Sequence, residues 1–330
     1  MRQIMRLIAI FLLLFAAACG DDRGLTGPSK TALVQATTPP AEPPSPAQPP
    51  SDPPSQPPTQ PGPIPPPLGE VVFVGAGDIA VCGSQGAVLT ARLLDSIAGT
   101  VFTLGDNVYP NGSMENYRAC YEPTWGRHLA RTRAAPGNHD WSEGDSGVSY
   151  FNYFGFAAGP PGLGYYSFDY GAWHIISLNS EISMRLDSAQ DVWLRADLAA
   201  NRSKCALAYW HYPLFTSGQN PAETKVRDAW RALYDAGADV ILNGHEHAYE
   251  RFRPQDPDGQ WNEQRGIRQF TAGTGGAPLY RRRTTAENSE LYDSTSWGVL
   301  KLTLKAASYN WEFIPVAGAS FRDSGTGACH

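Results

Sequence analysis

Clustered positive charge is almost missing from this chain. Its 26 Lys and Arg stand against 32 Asp and Glu, for a formal net charge of −6, and Arg281–Arg283 is the one basic run that stands out. Nucleic-acid binders ordinarily carry a basic stripe or patch, so no nucleic-acid partner is expected. A phosphorylated substrate is still compatible with the acidity, because a bound cation can supply the positive charge. A phosphate-cradling loop is missing too, since no Gly-Lys-Ser/Thr follows the GTGG of residues 273–276. No repeat of 20–50 residues is visible, which excludes a repeat array. Histidine is scarce, at seven, yet His245 and His247 flank a single Glu246 in NGHEHAYERF. Such a pair is either a polar turn or two metal ligands, and the remaining residues decide between them.

The N-terminal apolar run Leu7–Ala18 follows Arg2 and Arg6. As a helix it would cover ~18 Å, short of the ~30 Å bilayer core, so residues 1–18 read as an export signal peptide. Ala16-Ala17-Ala18 suits ordinary signal cleavage. Cys19 behind them also resembles a lipoprotein signal, in which that Cys is acylated and becomes the N-terminus, although Ala16 stands where Leu is usual. The expectation is a membrane-anchored bacterial lipoprotein in the periplasm or at the cell surface; the alternative is a soluble secreted protein. Residues 19–69 hold most of the 28 prolines. Each Pro fixes φ and removes a donor, so this stretch reads as an extended linker with a contour on the order of 150 Å. It would lift a domain over 70–330 off the membrane.

Within that domain, Val71–Ala76, Val101–Leu104, Cys205–Trp210 and Val240–Leu242 are short apolar runs that suit buried strands. Gly86–Ile97 and Thr224–Ala236 carry apolar residues at helical spacing, and Ser188 could cap a helix through Ala200. Tyr165–Ser180 reads as two strands joined at Tyr170-Gly171, and Arg268–Thr271, Trp297–Leu304 and Tyr309–Pro315 as closing strands. This is an α/β layered domain with mixed sheets.

Polar clusters follow the strand-like runs. Asp78 follows the first, Asp106 and Tyr109 the second, His211 the run ending at Trp210, and His245 with His247 the run ending at Leu242; Asn138 and His139 lie in APGNHD. Open α/β sheets gather ligands beyond the carboxyl ends of their strands. Oxygen donors suit hard cations and imidazole suits transition metals, and seven donors exceed one tetrahedral site. They fit two adjacent metals sharing a carboxylate, the arrangement that clamps a phosphoryl group. On an extended segment His245 and His247 project to one side while Glu246 points away.

The order GD…GDNVY…GNHD…H…GHEH resembles the calcineurin-like metallophosphoesterases, and GDNVY with GHEHAYER resembles the purple acid phosphatases and their bacterial relatives. The resemblance spans residues 70–315. It implies a four-layer αββα sandwich of two mixed β-sheets flanked by helices, the metallo-dependent phosphatase fold. It implies that Asp78, Tyr109 and His247 hold a first metal, Asn138, His211 and His245 a second, and that Asp106 bridges them. The first metal would be Fe(III), which favours the phenolate of Tyr109, and the second Fe, Zn or Mn. His139 would be the catalytic acid, worth ~10²–10⁴-fold, and a metal-bound hydroxide the in-line nucleophile. Asp140 would orient its neighbours. The larger purple phosphatases carry further histidines after the fourth block; HYPLFTSGQNPAETK has none there and offers Tyr212, Gln219 and Asn220 instead. Substrate preference and pH optimum are therefore left open.

Outside the blocks, His128 and His174 read as structural, His330 as a frayed terminus, Arg251 as an ion-pair residue and Arg281–Arg283 as a solvated face. The GTGG loop lies near the rim of the site in this family. Export permits disulfides, and Cys82, Cys120, Cys205 and Cys329 allow three pairings. Cys82 and Cys120 follow the first two blocks on one face, so Cys82–Cys120 is the expected pair, with Cys205 packed as a small hydrophobe. The leading function is an exported binuclear phosphatase acting on small phosphate monoesters. A phosphodiesterase or nucleotidase on the same fold is the first alternative, and a non-catalytic surface-binding protein the second.

Overall fold

The computed structural model describes residues 69–141 and 146–330. The leader 1–18, Cys19 and the linker through residue 68 lie outside the described residues. None of the described helices is long and apolar enough to cross a membrane.

The first half of the domain contains β1 (Val71–Ala76), β2 (Ala80–Val81), β3 (Thr100–Leu104), β4 (Val108–Tyr109), β5 (Thr132–Ala135), β6 (Tyr166–Tyr170) and β7 (Trp173–Ser177). The second half contains β8 (Cys205–Trp210), β9 (Val240–Asn243), β10 (Tyr249–Phe252), β11 (Arg268–Ala272), β12 (Ser289–Asp293), β13 (Gly298–Leu304), β14 (Ser308–Pro315) and β15 (Asp323–Ala328). They form a six-stranded sheet in the order β15-β14-β13-β1-β3-β5, a seven-stranded sheet in the order β12-β10-β11-β9-β8-β7-β6, and the short pair β2-β4. Both large sheets are mixed. β1, β3 and β5 run parallel while β13 joins β1 antiparallel; β7, β8, β9 and β11 run parallel while β6 and β10 are antiparallel to their neighbours.

Apolar packing sets the layers. Phe73, Phe102, Leu207, Tyr209, Leu242 and Phe270 meet between the two sheets. The opposite face of β1 and β3, through Val74, Ala76 and Val101, packs on Leu94 of the helix Gly86–Ser96 and on Trp125 and Phe154. The opposite face of β8 and β9, through Ala208, Trp210 and Ile241, packs on Leu194 of the helix Ala189–Ala200 and on Trp230 and Leu233 of the helix Arg227–Asp235. Helix, sheet, sheet, helix: the domain is the expected four-layer αββα sandwich. Strands covered on both faces need near-continuous apolar runs, which is why β8 reads CALAYW with five of six residues buried. Ser188 caps its helix by accepting from the Asp191 amide.

Three expectations change. Cys205 is bonded to Cys329 and not merely packed, because β15 pairs with β14 and delivers Cys329 to the start of β8. His330 is not frayed: its amide and Nδ1 both bond the buried Asp239 carboxylate, at 3.0 and 2.6 Å. The helix expected over Thr224–Ala236 starts as a 3₁₀ turn at Thr224–Val226 and becomes α-helical from Arg227 to Asp235. Cys82 and Cys120 form the other disulfide.

Candidate metal centre

The carboxyl ends of β1, β3 and β5 in one sheet and of β8 and β9 in the other meet at one place. Asp78 stands two residues past β1, Asp106 two past β3, Asn138 three past β5, His211 directly after β8 and His245 two past β9. Tyr109 closes β4, and His247 precedes β10. The chain turns sharply at three of these positions. Asp78, Asp106 and His245 hold φ of 59°, 50° and 68°, a region that costs a non-glycine residue ~1–3 kcal/mol and that clusters at functional sites. Each follows a glycine. Gly105, itself at φ 81°, leaves no room for a side chain, because a Cβ there would lie 2.6 Å from the His211 ring.

Seven donor side chains converge in two groups. In the first, the Tyr109 hydroxyl lies 2.9 Å from Asp78 Oδ1, 3.0 Å from Asp106 Oδ2 and 3.0 Å from His247 Nε2. His247 Nε2 is also 3.3 Å from Asp78 Oδ1. In the second, His211 Nε2 lies 3.1 Å from Asn138 Oδ1, 3.3 Å from His245 Nδ1 and 3.3 Å from Asp106 Oδ2. The same oxygen of Asp106 belongs to both groups. Asp78, Asp106 and His211 are fully enclosed, and His245 and Asn138 are half-buried.

The ring tautomers decide what this cluster needs. His211 Nδ1 contacts the Leu104 carbonyl at 2.8 Å and His247 Nδ1 the Pro278 carbonyl at 2.7 Å. A carbonyl can only accept, so these Nδ1 atoms carry hydrogen and each Nε2 of the neutral ring presents a lone pair to the centre. His211 Nε2 then faces acceptors: an amide oxygen, a carboxylate oxygen and a second imidazole. On the other side one phenolic hydrogen serves three acceptors. Buried lone pairs converging at ~3 Å call for a cation, and Nδ1 bonded to a backbone carbonyl is the usual support of a metal-ligating histidine. The donor set therefore fits two metal ions.

Charge perturbations agree with that demand. Burial pulls the His211 imidazole down, but the Asp106 charge and hydrogen bond push it up to about 10. Burial and the His211 charge hold His245 down to about 3, so it stays neutral. Burial raises Asp106, yet His211 and His139 hold its carboxyl well below the usual carboxylate range. Burial and the charges of Asp106 and Asp78 push the Tyr109 phenol well up. Protons occupy here what a metal would displace.

The supports are specific. Asp140 accepts from the Asn107 and Gly137 amides and from the Tyr117 hydroxyl at 2.6 Å, tying two ligand loops together; burial and the Asp106 charge push it up to about 6. Glu246 turns away from the centre and accepts the amides of Gln219 and Asn220 at 2.7 and 2.6 Å. In the GTGG loop the Gly273 and Gly275 amides bond the Ala248 and Gly77 carbonyls, so that loop braces the turn at Asp78 and these two amides are engaged within the protein. His139 sits half-exposed at the mouth. Its ring packs 4.4 Å from that of Tyr109, its Nδ1 donates to the Pro110 carbonyl, and Nε2 lies 3.9 Å from Asp106 Oδ2.

A family model for calcineurin-like phosphoesterases matches residues 72–249, which holds all seven donors. The chain belongs to that family. Within it the chain is purple acid phosphatase-like. It is 31% identical to Purple acid phosphatase 15 of Arabidopsis thaliana over 218 residues, covering 53% of this chain and 41% of that protein. It thus spans well under two thirds of that relative. Among solved structures, a purple acid phosphatase from yellow lupin (Lupinus luteus) seeds superposes with a TM-score of 0.64 at 21% identity, covering 78% of this chain and 54% of that one. GAP50, described as the anchor in the inner membrane complex of Plasmodium, superposes at 0.62 with 13% identity, covering 79% of this chain and 90% of that one. At such identities the likeness is one of fold, and function has to be argued from the site.

Four neighbours of the centre escaped the sequence reading. The Tyr280 ring stacks on His247 with centroids 3.9 Å apart and planes at 10°. Pro278 holds the His247 tautomer through its carbonyl. Glu181 lies four residues past β7, beside the Tyr212 hydroxyl, whose pKa is raised by burial and by the Glu181 charge. Lys225 sits over the Tyr212 ring. Glu181 had a signal, since β7 is another parallel strand whose carboxyl end reaches this edge. The other three are tertiary contacts with no local pattern.

Elsewhere, His128 packs against the helix Gly86–Ser96 through the Ala91 carbonyl, and His174 lies between Asp169 and Asp197. Arg251 is paired with Asp323 and Glu290. Arg281–Arg283 are exposed.

Proposed function

We propose that this chain is an exported two-metal phosphatase that hydrolyses small phosphate monoesters. The observation that carries the reading is the pair of donor groups sharing Asp106 Oδ2. Asp78, Tyr109 and His247 would hold the first ion, Asn138, His211 and His245 the second, and Asp106 would bridge. Tyr109 favours Fe(III) at the first position, because a trivalent ion offsets the burial and carboxylate charges that otherwise raise the phenol; divalent Fe, Zn or Mn suits the imidazole-rich second. Bound there, the ions supply Lewis-acid polarisation of a phosphoryl oxygen and lower the pKa of water to near ~7.

The chain's own residues do the rest. His139 is fixed through Nδ1 by the Pro110 carbonyl, so Nε2 is the atom that carries a proton to the leaving oxygen. The backbone amide of His139 donates to Asp106 Oδ1 at 2.8 Å, which keeps Oδ2 turned to both ion positions. Asp140 and Glu246 lock the loops that carry Asn138 and His245, so the donors need little rearrangement when ions bind. The test is metal content of the purified protein measured beside hydrolysis of p-nitrophenyl phosphate and its bis-ester. Two ions and preference for the monoester are expected. Preference for the bis-ester would replace monoesterase by phosphodiesterase, and a folded protein with neither metal nor activity would overturn the enzyme reading.

Export and anchoring form the second part of the proposal. The leader 1–18, Cys19 and the Pro-rich linker support a lipid-anchored location, and two disulfides suit an oxidising compartment. Detergent-phase partitioning that is lost in Cys19→Ala is expected. Equal aqueous partitioning of both proteins would leave soluble secretion.

A further inference from the structure

Tyr212 follows His211 directly in the chain and forms one wall of the second donor group. Its ring lies 4.5 Å from the His245 ring and 5.1 Å from the His211 ring. The Glu181 carboxyl reaches the same edge from the end of β7 and lies beside the Tyr212 hydroxyl, where burial and its charge push the phenol up. On the ring stands an ammonium group, Lys225 Nζ, 3.7 Å from the centroid.

The other cations of this segment are used differently. Arg227 and Arg231 both pair with Asp258. Lys225 makes no ion pair among the described residues, and its side chain is exposed. A positive charge is thus parked on an aromatic face beside the site, in the field of the Glu181 carboxyl but not ion-paired with it. Lysine carries that charge on a flexible four-carbon stem, so it can swing from the ring to an anion without moving the backbone. A charge-assisted bond to a phosphate oxygen is stronger than the cation–π contact of a solvent-exposed ammonium, so an arriving phosphate would win the lysine.

We propose that Lys225 binds the substrate's phosphate on the His211/His245 side of the centre, with Tyr212 and Glu181 as the positioning residues that hold it there. The inference rests on the phosphatase reading and deepens it. The substrate it selects has a dianionic phosphate terminus, since a diester offers one charge fewer to the lysine.

The test uses the metal-loaded full-length protein and its variants Lys225→Ala, Lys225→Arg and Tyr212→Phe, with metal content measured in each. For Lys225→Ala, KM for p-nitrophenyl phosphate and the calorimetric Kd for inorganic phosphate should both rise by roughly tenfold or more, with a smaller fall in kcat and unchanged metal content. Lys225→Arg should recover most of the phosphate affinity. Tyr212→Phe keeps the ring but removes the hydroxyl beside Glu181, and should weaken phosphate several-fold. Phosphate affinity in Lys225→Ala equal to that of the parent protein would overturn the proposal. If the parent protein holds two metals but hydrolyses nothing, the phosphatase reading fails, and phosphate affinity in the same variants still decides the role of Lys225.

Discussion

Asp106 Oδ2 lies 3.3 Å from His211 Nε2, and that same oxygen accepts the Tyr109 hydroxyl at 3.0 Å. One atom thus belongs to both halves of the donor set. Asp106→Asn keeps the shape but puts a neutral oxygen or an NH₂ at the shared position. The expected outcome is loss of at least one of the two ions and a drop in catalytic efficiency by a factor of about 10³ or more, on the scale of transition-state charge stabilisation. Metal analysis beside steady-state kinetics checks it.

His139 is held outside both donor groups, so its loss should leave the ions in place. His139→Ala should lower kcat by ~10²–10⁴-fold with two ions retained. The deficit should be larger for an alkyl phosphate than for p-nitrophenyl phosphate, whose good leaving group needs little protonation. Equal deficits for both substrates would reject the proton-donor role.

Tyr109→Phe removes one oxygen from the first group and leaves a buried ring. In an iron-loaded sample the parent protein should show a phenolate-to-iron charge-transfer absorption that is absent from the variant. An iron-loaded parent without that band would remove Tyr109 from the ligand set.

Away from the centre, His174 is buried between Asp169 and Asp197, at 3.0 and 2.7 Å. Burial pulls its pKa down, but the two carboxylates win and raise it. A histidine whose folded pKa exceeds the unfolded value of ~6.5 stabilises fully below that pH, and the stabilisation fades as pH rises through the folded pKa. Tm of the parent protein should therefore fall from about pH 6 toward alkaline pH more steeply than Tm of His174→Gln.

How much of this was legible in the sequence depends on locality. Asp78, Asp106, His211 and His245 each follow an apolar run at a fixed short distance, so their meeting at one edge could be read from strand periodicity and the strand-end rule. Glu246 does turn away as expected, but because the chain bends at His245 and not because the segment is extended, so the period-2 ground did not hold. Lys225 and Tyr280 could not be placed, because their contacts with Tyr212 and His247 form across loops with no pattern. β15 was missed for another reason. Its sequence DSGTGA has no apolar period, since Gly325 and Gly327 serve as flat ground beneath the rings of Trp311 and Tyr309. That miss also hid Cys329 and His330.

The Cys205–Cys329 bridge closes a span of 124 residues and ties β15 to the start of β8, at the far end of that strand from His211. Cys329→Ser should cost ~2–4 kcal/mol of stability on the usual scale for such bridges. Metal content and kcat should stay within about twofold at 25 °C, because the donor loops are tied separately by Asp140 and Glu246. Denaturant unfolding beside metal analysis tests this.

The central claim is that two ions share Asp106. The direct measurement is metal stoichiometry of the purified protein with the ions located by anomalous scattering. The expected result is two ions ~3.5–4 Å apart, one within bonding distance of Asp78, Tyr109 and His247 and one of Asn138, His211 and His245. A folded, metal-replete sample with a single ion, or with ions bound away from Asp106, would contradict it.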